Sequence, residues 1–343
     1  MNYRFFTNSQ RTWKAMFETI SIAQKSIYLE MYIFNDDMEQ YNFFDLFKEK
    51  AEQGLQVKII LDSFGSYALS NNKIKELKKS GIEIFFVSYF FHRAHRKILI
   101  VDETIAFIGG VNLHQSAELW SDLVVKIKGK LVAPIIQSFA RSYANAGGTD
   151  KKLLAKKEKI AWKKIKAWVV DHFPITGKYK LKLLYKKHIN NAHDHITLVT
   201  PYFTPKRWFL SVLHQAVIRG VTVEILVPKH TDHFITDRVN YFYIYKLSKV
   251  GVKFYMKNNM NHAKVMILDN GEAIIGSQNL DFLSFDYNSE VGIFFKDVKV
   301  IEKLQKISEK WKEDSDLFDY KKYKPDWYDY ILSPFIKIFF RIF

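Results

Sequence analysis

Two histidines stand in the same short pattern. His95, Lys97 and Asp102 are spaced H-x-K-x4-D, and His262, Lys264 and Asp269 repeat that spacing in the second half of the chain. With 11 histidines and basic and acidic fractions of 52/343 and 36/343, chance supplies about 0.2 such matches. The surroundings repeat too. Asn112 lies 17 residues after His95 and Asn279 lies 17 after His262, behind the small pairs Gly109-Gly110 and Gly276-Ser277. An acid follows each histidine, Asp122 at 27 residues and Glu290 at 28.

These groups suit displacement at phosphorus. The runs KILIVD and KVMILD after the histidines are strand-like, and residues two apart on a strand share a face, so His and Lys project together. One neutral imidazole can attack phosphorus and a second, protonated one can donate to the leaving oxygen. Two ammonium groups can stabilise the oxygens between them, which describes phosphodiester chemistry without a metal. Asp102 and Asp269 complete the signature and count with it as catalytic candidates. Their odd offset from His and Lys aims them away from the reacting centre, which suits a role at the strand end or against backbone. Asp122 and Glu290 are the acids expected to orient an imidazole through its second nitrogen, with Asn112 and Asn279 in support.

The elements that must position these groups also occur twice. In the first half SIYLEMYIFNDD, VKIILDSFGS, IEIFF and HRKILIVDETIAFIGGVN are separated by helical stretches. HITLVTPYFTP, VTVEILVP, VKFYM and HAKVMILDNGEAIIGSQN follow in the same order in the second half. Strand-like runs alternating with helices predict an α/β sheet in each half. Gly54, Gly81, Gly220 and Gly251 sit where glycine caps would end helices before the next strand. The expected layout is a first half over 1–150, a basic amphipathic connector over 151–180, a second half over 181–320, and an amphipathic aromatic tail over 321–343.

Composition narrows the partners. A hydrophobic content of 48% excludes disorder, and the absence of cysteine excludes disulfide frameworks and Cys-ligated metal sites. A net charge of +16 attracts anionic partners, phospholipid head groups or nucleic acid. No signal-peptide pattern opens the chain, and no window reaches the 18 or so apolar residues of a spanning helix. Residues 151–187 hold 13 lysines against Glu158 and Asp171, interleaved with Ile160, Trp162, Ile165, Trp168 and Val169. They fit a solvated helix with a packed apolar side, or a helix lying on a membrane surface. The tail from Trp327 to Phe343 fits an interfacial anchor or a segment docked in a groove of the same protein. His188, His193 and His195 lack a carboxylate pattern that would identify a metal and read as a polar lead into a strand.

The doubled H-x-K-x4-D with its G-G/S-x-N followers resembles the phospholipase D superfamily over roughly residues 10–315. Within it, IAQKSIYLEMYIFNDD, HRKILIVDETIAFIGGVN, LVTPYFTP and SQNLDFLSFDYNSEVGIFF are similar to bacterial cardiolipin synthases of phospholipase D type, in particular those without N-terminal spans. The resemblance implies two similar α/β halves packed around one shared active site and a covalent phosphohistidine, with no cofactor and no metal. It implies phosphatidyl transfer from one phosphatidylglycerol to a second lipid alcohol, with His95 as nucleophile and His262 as acid/base. The implied partners are anionic phospholipid and a membrane surface at the cytoplasmic side, held peripherally; no obligate protein partner is implied. HQSAELWSD departs from the tighter acidic stretch expected after the first motif and leaves the acceptor open. Three rivals share the sequence: a hydrolytic phospholipase D, a membrane-binding module with a decayed site, and a nuclease. For the nuclease, Tyr202, Phe203 and Trp208 would stack on bases, although the same rings suit an acyl channel.

Overall fold

A computed structural model describes residues 2–87, 92–156, 166–174, 179–327 and 329–330. The first half runs β1 (Asn2–Asn8), α1 (Ser9–Ser21), β2 (Ser26–Met31), α2 (Phe43–Glu52), β3 (Gln56–Asp62), α3 (Asn71–Lys79), β4 (Glu83–Val87), β5 (Ile98–Val101), β6 (Ile105–Gly109), β7 (Ser121–Lys128) and α4 (Val132–Asn145). Its seven strands form one sheet in the order β1-β7-β6-β5-β2-β3-β4. Strands β2, β3 and β4 are parallel and joined by helices, whereas β5, β6 and β7 run antiparallel. After the short α5 (Lys151–Leu154) the plan repeats: β8 (Ala167–His172), α6 (Lys180–Asn190), β9 (His195–Val199), α7 (Arg207–Ile218), β10 (Thr222–Pro228), α8 (Phe234–Ser248), β11 (Lys253–Lys257), β12 (Val265–Leu268), β13 (Glu272–Gly276), α9 (Phe282–Asp286), β14 (Glu290–Phe295), α10 (Val298–Glu313) and β15 (Ser315–Leu317). The second sheet has the order β15-β11-β10-β9-β12-β13-β14-β8. The chain is thus two repeated α/β halves, as the sequence predicts.

Strands buried on both faces explain the near-continuous apolar runs. In β5, Ile98 and Ile100 face a central core shared by the two sheets, α4 and α10, whereas Leu99 and Val101 face an outer core built with α1, α2 and α3. The second sheet buries its other face under α6, α7 and α8. Gly54 and Gly220 close α2 and α7 with φ of +89° and +85°, a conformation glycine adopts without strain.

The connector is not a single amphipathic element. Ala167–His172 form β8, which pairs antiparallel with the edge strand β14 and so belongs to the second sheet, in the place β1 holds in the first. Strand pairing takes precedence over helical patterning here because β14 offers an open edge. Residues 157–165, with Ile160, Trp162 and Ile165, lie outside the described residues, as does the tail from 331 onward. Phe203 is fully buried against Phe254, and Trp208 packs on Phe209 and Phe285. Phe203 therefore offers no face to a nucleic-acid base.

Candidate active site

β5 is antiparallel to β2, so the residues just before it stand at the C-terminal ends of β2 and β3. β12 holds the same position beside β9. His95 and His262 therefore arrive at the same edge of their sheets, both buried, at 6% and 3% exposure.

The two halves are clipped together beside these histidines. Ser289 N–H donates to the Arg93 carbonyl at 2.8 Å, Ser121 N–H to the Met260 carbonyl at 3.0 Å, and His262 N–H to the Ser121 carbonyl at 2.7 Å. Ser121 and Ser289 each precede one of the acids, so the clips carry each acid across to the other half's histidine. His95 Nδ1–H donates to both carboxylate oxygens of Glu290, at 3.0 and 3.1 Å. His262 Nδ1–H donates to Asp122 Oδ2 at 2.8 Å. With Nδ1 occupied in both rings, Nε2 of each is the nitrogen left for chemistry.

The small pairs before Asn112 and Asn279 make room for this crossing. A Cβ on Gly110 would stand 2.3 Å from Asp122 Oδ1. In the second half Ser277 takes that place, and its hydroxyl donates to Glu290, which also accepts from Ser284 Oγ at 2.7 Å. Burial alone would raise the Glu290 carboxyl, but His95, Lys97 and the Ser277 hydroxyl hold it below its ordinary value. Asp122 has fewer donors, and burial pushes it up to about 7. The two acids are thus shifted in opposite directions.

Burial also lowers both imidazoles: His95 to about 4, with Glu290 opposing the shift, and His262 further below its ordinary value with help from Lys264, Lys97 and His95. Lys97 and Lys264 are buried, and each ammonium donates to the carbonyl of the histidine two residues earlier, at 2.9 and 2.5 Å. Burial lowers Lys264 to about 8 and Lys97 well below its usual range. Two cations held without a full set of partners form a site ready for an anion.

Asp102 and Asp269 are not brought to the histidines. Each occupies the hairpin turn after its strand with positive φ, as do Glu103 and Asn270. The Asp102 carboxylate accepts from the amides of Gln24, Lys25 and Ser26 at 2.7–3.1 Å, and Asp269 from those of His193, Asp194 and His195 at 2.8–3.0 Å. Rather than acting on the reacting centre as catalytic residues, they hold the hairpin to the start of the neighbouring strand. Asn112 accepts from Ile33 N–H at 3.3 Å, and Asn279 keeps a buried side-chain oxygen with no partner among the described residues. Of the second histidine cluster, His188 lies 2.5 Å from Glu272 and His195 3.1 Å from Glu224, which engages both with carboxylates of the second sheet.

Several neighbours of the histidines are not among the site residues expected from sequence, although Tyr202 is singled out there as an aromatic that could stack on a base or line an acyl channel. Tyr32 packs edge-on to His95 at 4.8 Å, while Trp120 and Tyr202 face His262 at 5.3 and 6.3 Å. Arg96, between the motif residues, is fully buried and ion-paired to Glu30 at 3.0 Å and Asp171 at 3.1 Å. The motif's variable position carries no sequence signal for this, since its counterpart is Ala263.

Residues 16–144 and 185–311 match the family described as cardiolipin synthase, PLD-like domain. The chain belongs to this family. Among curated cardiolipin synthase-family proteins, it is 29% identical over 324 residues to a probable cardiolipin synthase of Bacillus subtilis, covering 89% of this chain and 64% of that protein. It is 30% identical over 318 residues to a cardiolipin synthase of Oceanobacillus iheyensis, covering 88% and 66%. The chain thus spans about two thirds of the length of these relatives. The fold is shared with phosphatidylserine synthase of Haemophilus influenzae, at a TM-score of 0.79 and 15% identity over 99% of this chain and 94% of that one. Polyphosphate kinase of Porphyromonas gingivalis also shares it, at a TM-score of 0.66 and 14% identity over 98% and 53%. Among the described residues, no helix is long and apolar enough to cross a membrane.

Proposed function

We propose that this protein is a phosphatidyltransferase that joins two phosphatidylglycerols into cardiolipin and releases glycerol. The observation that carries the reading is the crossed pairing of two histidines with two acids around two buried lysines. The cardiolipin synthases among its relatives support the substrate class.

Neutral at pH 7, His95 attacks the phosphorus of one phosphatidylglycerol through Nε2, and the phosphorus–oxygen bond to glycerol breaks. His262 gives its Nε2 proton to the leaving oxygen. A hydroxyl of the second lipid then loses its proton to His262 and attacks the phosphorus; the phosphorus–nitrogen bond breaks and His95 is regenerated. The ionised Glu290 makes His95 the more basic imidazole, which supports its role as nucleophile. His262 is depressed by the lysines beside it, and a bound phosphate offsets that charge and raises its affinity for the proton it must donate. Lys97 and Lys264 stabilise the oxygens that gain charge, so the reaction requires no metal.

The protein works peripherally, at the cytoplasmic surface of an anionic membrane. Its +16 charge supports this, as does the distribution of exposed apolar residues. Tyr67, Leu119 and Phe234, at 82%, 80% and 78% exposure, are three of the four most exposed large hydrophobics among the described residues. Tyr67 and Leu119 lie on loops that leave the sheet edges carrying the histidines, and Phe234 opens α8 after β10 at the same edge.

The test is incubation with phosphatidylglycerol vesicles in the presence of a chelator, followed by mass spectrometry of the lipids. Cardiolipin and free glycerol are expected, and both should vanish with His95→Ala or His262→Ala. Phosphatidic acid as the sole product would replace the transferase by a hydrolase, and unchanged lipids would overturn the reading.

A further inference from the structure

His262 lies between two rings, and behind each is a polar group that the mechanism above does not use. Trp120 packs edge-on against His114 at 5.6 Å, and the Tyr202 hydroxyl donates to Asp232 at 2.5 Å. His114 is 5% exposed. Its Nδ1 is engaged with Ser116 Oγ at 2.8 Å, while its Nε2 is buried with no partner among the described residues. A buried imidazole nitrogen left unpaired is a standing penalty of about 1–3 kcal/mol, relieved when a ligand supplies the partner. The position is also where the halves diverge, since Asn112-Leu113-His114 faces Asn279-Leu280-Asp281 in the repeat. It falls in the stretch that departs from the pattern after the first motif.

Charge is sorted across this site. Lys97 and Lys264 hold the phosphate region, whereas the charges acting on His114 are chiefly the carboxylates of Asp37 and Asp232, with Lys97 opposing them. Carboxylates repel a phosphate, and Lys97 disfavours an ammonium head group, so the ligand that suits the His114 side is neutral and rich in hydroxyls. Burial keeps His114 neutral, with Nε2 free to donate or accept. The acid/base histidine must serve leaving and entering oxygens at one place, by microscopic reversibility. In cardiolipin formation both of those oxygens belong to glycerol.

We propose that His114 Nε2, with Asp232 across the Trp120–Tyr202 pair, forms a polyol subsite that holds the glycerol hydroxyls of the acceptor beside His262; this rests on the phosphatidyltransferase reading. The subsite favours an alcohol over water in the second step, which separates a transferase from a hydrolase.

The test uses the full chain, phosphatidylglycerol vesicles and added deuterated glycerol. Three products report the acceptor: phosphatidic acid for water, deuterated phosphatidylglycerol for free glycerol, and cardiolipin for a second lipid. Relative to wild type, His114→Ala should lower the ratio of the two alcohol products to phosphatidic acid about tenfold, equivalent to ~1.4 kcal/mol. His114→Phe fills the space beside Trp120 and should do the same, which keeps the test in hand where the alanine variant fails to fold. His114→Gln, which restores a polar group near Nε2, should recover part of the ratio. A wild-type ratio in the alanine or phenylalanine variant, at any overall rate, would overturn the subsite. A wild type that yields phosphatidic acid alone, or none of the three products, would instead overturn the phosphatidyltransferase reading, and this proposal with it.

Discussion

The two lysines set the alkaline limit of the reaction. Lys264 is lowered to about 8 by burial, so its ammonium is lost as pH rises through that value. The kcat/KM profile of the free enzyme should therefore fall on the basic side with an apparent pKa no higher than about 8, since burial lowers Lys97 as well. Lys97→Arg and Lys264→Arg together keep both charges and should move that limb to higher pH even where the maximum rate drops. His95, at about 4, stays neutral through the acidic range in which an ordinary histidine takes up a proton, so its contribution to the acid limb lies below pH 6.5. The residues around the pairs are held as tightly. Gly110→Ala would drive a methyl into Asp122 and misplace His262, with an expected loss of about 10²-fold in kcat. Gly271→Ala is the control, because its nearest neighbour would be 3.7 Å away; equal losses in both variants would refute the role assigned to Gly110.

At the scale of elements, the H-x-K-x4-D spacing measures a strand and its turn. His and Lys stand at the start, four apolar residues form β5 or β12, and the aspartate takes the first left-handed position of the hairpin. An aspartate tolerates that conformation when its side chain is bonded to nearby amides. β8 is tied to the same motif through Arg96, whose guanidinium joins Glu30 on β2 to Asp171 on β8. Arg96→Met should destabilise the protein by about 3–5 kcal/mol in denaturant unfolding, because it strands buried carboxylates without their cation. A loss below ~1 kcal/mol would mean that Arg141, which also reaches Asp171, carries the contact alone.

At the scale of the whole molecule, the active site exists only where the halves meet. Each histidine takes its acid from the other half, and backbone clips beside both histidines set that crossing. The same face presents Tyr67, Leu119 and Phe234 to the surroundings. Changing all three to Ser should weaken sedimentation with phosphatidylglycerol vesicles about tenfold or more, since each buried side chain contributes about 1.5–3 kcal/mol. Turnover of a water-soluble phosphodiester should persist, because none of the three touches a catalytic pair. Unaltered sedimentation would shift membrane contact to the basic surface or the tail.

Much of this was legible in the sequence, since the doubled motif, the repeated order of strands and helices, and the parity of His and Lys are local properties set by strand geometry and chain order. Spacing also marked Asp102 and Asp269 as pointing elsewhere, although it could not say that three consecutive amides awaited each carboxylate. Which acid serves which histidine was beyond sequence, because Asp122 and His262 lie 140 residues apart and His95 and Glu290 lie 195 apart. No local periodicity encodes such a pairing; the packing of the two halves decides it. The same holds for Arg96 and His114, whose significance comes from what surrounds them once buried, and for β8, whose basic, aromatic sequence suggested a surface helix until the open edge of β14 claimed it.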